Sequence, residues 1–451
     1  MTTTATTTLA HVLSHDHTRD QLLAAGMSSN EAIAKATRFT SAAQKLIDAG
    51  NKPDAAAVVV FVPGRIEVMG KHTDYCGGRS LVCTVERGMC FVAVARQDAT
   101  IRFFATDLHD SATFSFRRDV EPTVGHWSNY PMTVARRVAR NFPTASTGVD
   151  IAMSSDLPPA SGLSSSSAMI VGTFMVLSRV NGLTDTPQYQ KHIHSREELA
   201  GYLGCIENGQ NFGTLVGDKG VGTFGGSQDH TAILCGKPGR LSVYSFCPVV
   251  HERDVELADD LRFIIVDSGV IAEKTRDALE KYNRVSLRAR RLVSLWNEST
   301  GASAMCLREV VQSSADAVAR LNQLTANEDA QLDLPSRLDQ FIVEANDLIP
   351  RAVLAIGQRD WPSLGKIVDA SQHRAETQLH NQVPETITLQ RELRNAGAIA
   401  ASAFGAGFGG SVWGLVRAPD VAAIVERLTA TRRGVFVTRP GCAAIDLSVE
   451  N

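Results

Sequence analysis

Five serines, two prolines and a glycine crowd into Asp156–Ala168, which reads Asp-Leu-Pro-Pro-Ala-Ser-Gly-Leu-Ser-Ser-Ser-Ser-Ala. A β-patterned run, Val149–Met153, leads in, and an apolar helical run, Met169–Val180, leads out. The serines therefore fall on a loop feeding a helix N-terminus, where first-turn N–H groups lack partners and carry partial positive charge. Gly162, Leu163, Ser164, Ser165, Ser166 and Ser167 could cradle a phosphate there, with a hydroxyl to spare for a metal ion. The plainer alternative is a serine-rich turn with an ordinary helix cap.

A second stretch, Gly64–Gly78, crowds Arg65, Lys71, His72 and Asp74 between glycines just after the apolar strand Val58–Val62. It is not a Walker A loop: five residues separate Gly64 and Gly70 where that pattern needs four, and His72 stands where Ser or Thr should meet magnesium. A polar hairpin turn is one reading. Against it, so many charges beside a strand end are costly to pack unless they bind something. Further on, a glycine-rich approach (Gly213, Gly217, Gly220, Gly222, Gly225, Gly226) ends in Ser227-Gln-Asp-His230, ahead of a strand-like run, Thr231–Leu234. Asp229 there is either a turn or cap residue or a carboxylate held at the end of a pliant loop. Near the chain's end, Gly405, Gly407 and Gly410 formally satisfy Gly-x-Gly-x-x-Gly. The next run, Ser411–Val416, is β-like rather than helical, which excludes a dinucleotide site.

The elements that must hold these residues form a mixed α/β pattern. Residues 1–10 are expected to be disordered, and 16–50 to form two helices. Leu81–Val85 and Cys90–Arg96 read as paired strands, and Ile101–Phe104 and Ala112–Phe116 as more β-structure. Helices are expected over Tyr130–Phe142 and Arg196–Asn208, joined by a polar connection, Asp185–Ser195. After the strand Leu261–Val266, helices dominate: Lys274–Trp296 (carrying Tyr282), Ala304–Asn322, Pro335–Ile356, Trp361–Leu379 and Val421–Thr431. The division predicted is a partly helical extension at 1–50, an α/β unit at 51–250 and an α-rich unit at 251–451.

Composition narrows the function classes. A chain of 451 residues with 44% hydrophobic and 21% charged residues builds large cores. A net charge of −3 gives no case for nucleic-acid or membrane partners. The most basic run, Arg284–Arg291, reads as a solvated helix face. Eight scattered cysteines without Cys-x-x-Cys predict free thiols in a reducing cytoplasm. His15/His17 and His192/His194 read as polar surface. The opening Met-Thr-Thr-Thr-Ala-Thr-Thr-Thr predicts no secretory leader, and no apolar run reaches the length of a membrane span.

Taken together, the three motifs resemble the GHMP kinase superfamily and, within it, the galactokinases. Pro63–Tyr75 is similar to the galactokinase signature, Pro159–Ala168 to the superfamily's phosphate loop, and Phe404–Ser411 to its C-terminal glycine-rich motif. Smaller matches at Trp127–Tyr130, Glu207-Asn208, Gly226–Asp229 and Tyr282–Arg284 fall between them in order. The resemblance implies an α/β (α+β) fold of two domains, a ribosomal-S5-like N-terminal one and an α-rich C-terminal one, with the active site in the cleft between them. It implies transfer of phosphate from ATP, with Mg2+, to the anomeric hydroxyl of a small-molecule sugar, with monomer and dimer both open. Carried over by motif, Gly162–Ser167 would wrap the ATP phosphates and Ser164 and Glu207 would ligate magnesium. Asp229 would be the base and Arg65 its partner; Arg65, Lys71, His72, Asp74, Gly226, Asp229 and Tyr282 would contact the sugar. Gly405, Gly407, Phe408 and Gly409 would form the glycine-rich motif. Phosphoryl transfer asks for this kind of set, since it depends on positioning and charge neutralisation more than on covalent chemistry.

Three features depart from the family. Lys71 replaces the usual glutamate, Glu67 the usual asparagine, and the Glu207–Asp229 spacing is longer than typical. Lys71 either pairs with Glu67 or faces the sugar, where it would favour a uronate such as galacturonate or glucuronate. Two alternatives to a galactose kinase thus stand: a kinase for an acidic sugar, and a non-catalytic sugar sensor. A kinase for a mevalonate-like or homoserine-like alcohol is disfavoured by His-Thr-Asp-Tyr75.

Overall fold

The apolar run Val58–Val62 does not stop at Pro63-Gly64. In the computed structural model, which describes residues 7–158, 161–270, 276–405, 407–430 and 434–448, the strand continues as β1 (Val58–Met69). A register shift between Pro63 and Arg65 absorbs the proline, which has no N–H for a ladder. Arg65, Ile66 and Glu67 then pair regularly with Thr84, Cys83 and Val82, so Arg65 and Glu67 share one face of the strand. Arg65 and Glu67 thus belong to a strand, while Lys71, His72 and Asp74 fall in the turn that joins β1 to the next, antiparallel strand.

β2 (Arg79–Ala95) corrects a second expectation: it is one strand, not two paired ones. Between the two expected strands, at Glu86-Arg87-Gly88, the chain stays extended. A Cβ on Gly88 would lie 2.4 Å from the Val62 carbonyl oxygen, so the glycine permits close approach to β1. β3 (Thr100–Ala105), β4 (Asp110–Ser115), β5 (Val149–Ser155), β6 (Arg240–Ser245) and β7 (Val250–Glu256) complete most of the first sheet. β5 pairs with the second half of β2 and β6 with its first four residues. A second sheet has the order β11-β8-β10-β9, from β8 (Leu261–Asp267), β9 (Ala400–Ala403), β10 (Ser411–Arg417) and β11 (Val435–Thr438). β12 (Ile445–Asp446) then returns to the first sheet, against β1.

Alternation along the strands divides the first sheet's two faces. α1 (Leu9–Leu13), α2 (Asp16–Ala24) and α3 (Ser29–Asp48) cover one, burying Leu9, Leu22, Phe39 and Leu46 against Val59, Phe61 and Val92. Disorder expected over residues 1–10 is therefore corrected from Leu9 on. Leu9 and Val12 are fully buried, and the Thr8 hydroxyl accepts from the His11 N–H at 3.3 Å; residues 1–6 lie outside the described residues. The other face carries α4 (Asn129–Asn141), α5 (Ser165–Asn181), α6 (Pro187–His192), α7 (Arg196–Asn208) and α8 (Gln228–Cys235). Here Val60, Val62 and Phe91 join one core with Val171 and Phe174 of α5. α6 forms within the connection expected to be polar coil, capped by Thr186 with Pro187 in its first turn. α8 replaces the strand expected over Thr231–Leu234, since a four-residue apolar run carries no periodicity to separate the two.

The C-terminal half is helical, as its pattern implied: α9 (Arg276–Thr300), α10 (Leu307–Gln312), α11 (Ala317–Thr325), α12 (Leu334–Val343), α13 (Ile349–Gly357), α14 (Trp361–Arg374), α15 (Pro384–Asn395) and α16 (Val421–Thr429). The start expected at Lys274 lies outside the described residues. The single helix expected over Ala304–Asn322 is two, α10 and α11. They part at Ser313, whose hydroxyl donates to the Val310 carbonyl at 2.7 Å. A wide turn, Glu344–Leu348, joins α12 to α13 without a break.

Candidate active site

α5 begins at Ser165 with Ser164 at its cap position, in a left-handed conformation (φ +61°). The Ser164 hydroxyl makes no capping bond, and its buried Oγ has no partner among the described residues. This hydroxyl does not serve as an ordinary cap; it is left for a ligand oxygen or a cation. Gly162 (φ +80°) lets the loop press on the glycine-rich segment: a Cβ there would sit 2.8 Å from Cβ of Phe404. Ser411 N–H donates to the Ser161 carbonyl at 3.0 Å. Asn381 steadies the same segment, donating to the Gly405 carbonyl at 2.9 Å and accepting from Phe408 N–H at 2.6 Å. Gly407, Phe408 and Gly409 all hold positive φ. The third motif therefore braces the first, and β10 comes after it where a dinucleotide site needs a helix.

Asp229 lies in the first turn of α8, on one side of the cavity. Arg65 reaches it from β1 with two nitrogens on one oxygen, Nε at 2.8 Å and Nη2 at 2.7 Å from Oδ1, while Nη1 donates to the Gly162 carbonyl. One guanidinium thus fixes both the carboxylate and the phosphate loop. Glu207, at the end of α7, accepts from Ser167 Oγ at 3.0 Å and lies 3.2 Å from His230 Nε2. The serine hydroxyl beside Glu207 is therefore that of Ser167, not of Ser164. Ser167 Oγ is also 3.5 Å from Asp229 Oδ2, which links the two carboxylates.

On the opposite side, β1 ends in a tight turn carrying His72 (φ +56°). The His72 ring is hydrogen-bonded to the Tyr75 hydroxyl at 2.8 Å and lies 5.4 Å from the Tyr282 ring of α9. Asp74 accepts from Gln228 N–H at 3.1 Å, and a Cβ on Gly226 would come within 2.4 Å of its Oδ2. Burial pushes the Asp74 carboxyl and the Tyr282 hydroxyl up in pKa. Lys71 turns away: it is 1% exposed, does not line the cavity, and donates to Ser402 Oγ of β9 at 2.6 Å. Glu67, by contrast, does line the cavity. Burial lifts its carboxyl to about 7, against the opposing pull of Lys71 and Arg65.

Sequence reasoning missed the residues that hold this turn from the C-terminal half. Arg337 donates to the His72 carbonyl at 2.6 Å, Gln340 to the Lys71 carbonyl at 3.3 Å, and Glu344 accepts from Gly70 N–H at 2.8 Å. All three are almost fully buried on α12 and the wide turn after it. A buried arginine, glutamine and glutamate on an otherwise apolar face is the signal that could have flagged them.

The cavity between these walls has a volume of about 280 Å³. Arg65, Asp229, Gly162 and Ser164–Ser166 form one side of it; Glu67, His72, Asp74, Gly226 and Tyr282 form the other. Its walls thus present a carboxylate beside an arginine, a helix N-terminus, and a ring of hydrogen-bonding groups. The galactokinase galactose-binding signature matches residues 49–96, the GHMP kinases N terminal domain residues 129–237, and the GHMP kinases C terminal domain residues 352–433. The chain belongs to the GHMP kinase superfamily, in its galactokinase branch. A galactokinase of Actinobacillus pleuropneumoniae is 27% identical over 372 residues, spanning 81% of this chain and 86% of the relative. One of Chloroflexus aurantiacus is 29% identical over 378 residues, spanning 82% and 86%. The fold matches Lactococcus lactis galactokinase complexed with galactose (TM-score 0.70, 22% identity, 86% of this chain and 95% of that one). It also matches Methanococcus jannaschii mevalonate kinase more distantly (TM-score 0.53, 14% identity, 86% and 99%). This kinase is a phosphotransferase with a hydroxyl acceptor and uses ATP with Mg2+. The oxygen donors present, an unspent Ser164 hydroxyl and the Glu207 carboxylate beside Ser167, suit such a hard cation. Among the described residues no helix is long and apolar enough to cross a membrane.

Proposed function

We propose that this kinase phosphorylates the anomeric (C1) hydroxyl of galactose. The observation that carries the reading is the Arg65–Asp229 pair, held between the phosphate loop and the cluster of His72, Asp74 and Tyr282. The Asp229 carboxylate accepts the C1 hydroxyl proton as that oxygen attacks the γ-phosphoryl group and ADP leaves. Arg65 orients the base and offsets charge on the transferring group. The backbone of Gly162–Ser167 receives the phosphates at the start of α5. Glu207, with Ser164 or Ser167, would hold magnesium, which would neutralise phosphate charge there. His72, Asp74, Gly226 and Tyr282 hold the sugar.

The uronate reading rested on Lys71 facing the substrate. Its bond to Ser402, and the Glu67 carboxyl in the cavity instead, support a neutral sugar. The sensor reading loses support because Ser164–Ser167, Arg65 and Asp229 are all present and assembled. We also divide the chain into its two domains between Glu256 and Leu261, a few residues after the expected 250, where the strands of the two sheets change over. We assign the protein to the cytoplasm on its eight free thiols.

The test is ADP release from ATP and Mg2+ across galactose, galactosamine, arabinose, glucose, galacturonate and glucuronate. Turnover with galactose, and little with the two acids, is the expected result. Turnover confined to a uronate would overturn it.

A further inference from the structure

Glu67 lines the cavity, yet none of the motif roles uses it. Its side chain is 2% exposed, and Oε1 has no hydrogen-bond partner among the described residues. A buried carboxylate oxygen left so is costly, and native structures seldom tolerate one without a reason. No ion pair or hydrogen bond joins Glu67 to Lys71 among the described residues: the ammonium donates to Ser402, and its charge acts on Glu67 only through space. The geometry aims the group at the cavity. Arg65 and Glu67 project from the same face of β1, and Arg65 already meets the proposed base Asp229. Gly405 backs the carboxylate closely, since a Cβ there would fall 2.0 Å from Oε2. That contact closes one side of the group, and the residue forms part of the cavity wall on another.

We infer that Glu67 is a substrate-contacting, specificity-determining residue: its Oε1 accepts a hydrogen bond from one hydroxyl of the bound sugar, and its negative charge disfavours acidic sugars. This deepens the galactokinase reading and rests on it for the identity of the sugar. The carboxylate comes from position 67, while position 71, where the sugar cluster would otherwise carry an acid, holds a lysine turned into the protein. A hydroxyl donating to a carboxylate is a charge-assisted bond, short and selective for sugars that present that hydroxyl.

The test is a cycle between enzyme and substrate. Wild type, Glu67→Met (which removes the acceptor with little change of volume) and Glu67→Gln (which keeps an acceptor without charge) are compared on galactose and its four monodeoxy analogues at C2, C3, C4 and C6. In the wild type one analogue should lose on the order of 10- to 100-fold in kcat/KM through the hydroxyl that Glu67 reads. In Glu67→Met that same analogue should match galactose within about 2-fold, and Glu67→Gln should fall between. The ATP KM should stay the same in all three, and galacturonate should inhibit Glu67→Gln more strongly than wild type. If every analogue loses the same factor in wild type and Glu67→Met, Glu67 touches no hydroxyl and the inference is overturned. The wild-type rate on galactose tests the substrate reading separately. Should another neutral sugar be preferred, the cycle is run on that sugar and its deoxy forms, and the ratios decide in the same way.

Discussion

Asp229 is the more exposed member of its pair, with 31% of its side chain open against 5% for Arg65. The guanidinium holds it from the inner side and leaves Oδ2 toward the cavity. Asp229→Asn keeps that shape but cannot take a proton, so kcat should fall about 10²- to 10⁴-fold. Sugar affinity measured by calorimetry should hold within a few-fold. Near-normal turnover would mean that the base lies elsewhere. Glu67 allows a prediction of a different kind. Its folded pKa, about 7, lies above the ordinary 4.5, chiefly through burial. The folded protein therefore binds that proton more tightly than the unfolded chain does. The stability this contributes is complete below about 4.5 and is lost as pH rises through 7. Glu67→Gln has no such proton to lose. Its melting temperature relative to wild type should climb between pH 5 and pH 8 by the equivalent of about 2 kcal/mol, read by scanning calorimetry of both proteins. A gap independent of pH would refute it.

α3 shows what an element adds beyond its own pattern. The sequence predicted a helix there from its apolar spacing, and Phe39, Ala42, Ala43 and Leu46 do form its buried stripe. In the structure Lys35 is fully buried between Glu31 at 2.6 Å and Asp156 at 2.5 Å. Burial alone would pull its pKa down, but the two carboxylates outweigh that and raise it. Asp156 in turn accepts from Gly88 N–H at 2.8 Å, at the head of the phosphate loop. The partner is 121 residues away, so no local pattern could have named it. β2 failed for the related reason that Gly88 answers to β1 rather than to a turn. Lys35→Met would leave Asp156 with the Gly88 N–H and with Arg38 Nε at 3.9 Å, and should cost about 1–3 kcal/mol of stability, seen as a lower melting temperature. The ATP KM should rise more than the sugar KM, and adding Asp156→Asn should recover part of the stability. An unchanged melting temperature would show the pair to be dispensable.

At the scale of the whole molecule, the active site is assembled from residues that run from Arg65 to Gly405. The phosphate loop, the signature and the glycine-rich motif were legible in the sequence because each carries its chemistry within a few consecutive residues. The contacts that set them against one another were not. His72 is held by Arg337 across 265 residues, Gly70 by Glu344 across 274, and Lys71 by Ser402 across 331. Folding of the C-terminal half is thereby made a condition for both sides of the site, but through different residues: the sugar cluster leans on Arg337 and Glu344, the phosphate loop on Ser411 and Phe404. The two substrates should therefore respond differently when the first brace is cut. Arg337 is fully buried; it donates to the His72 carbonyl at 2.6 Å, to Gln340 at 2.5 Å and to Cys76 Sγ at 3.0 Å. Arg337→Met frees the His72 carbonyl and loosens the turn that carries His72 and Asp74. The kcat/KM for sugar should fall about 10- to 100-fold, while the ATP KM stays within about 2-fold. Initial rates with each substrate varied in turn, beside a melting curve to show that the variant is folded, read this directly. An equal rise in both KM values would mean that Arg337 supports the fold in general and not the sugar side of the site.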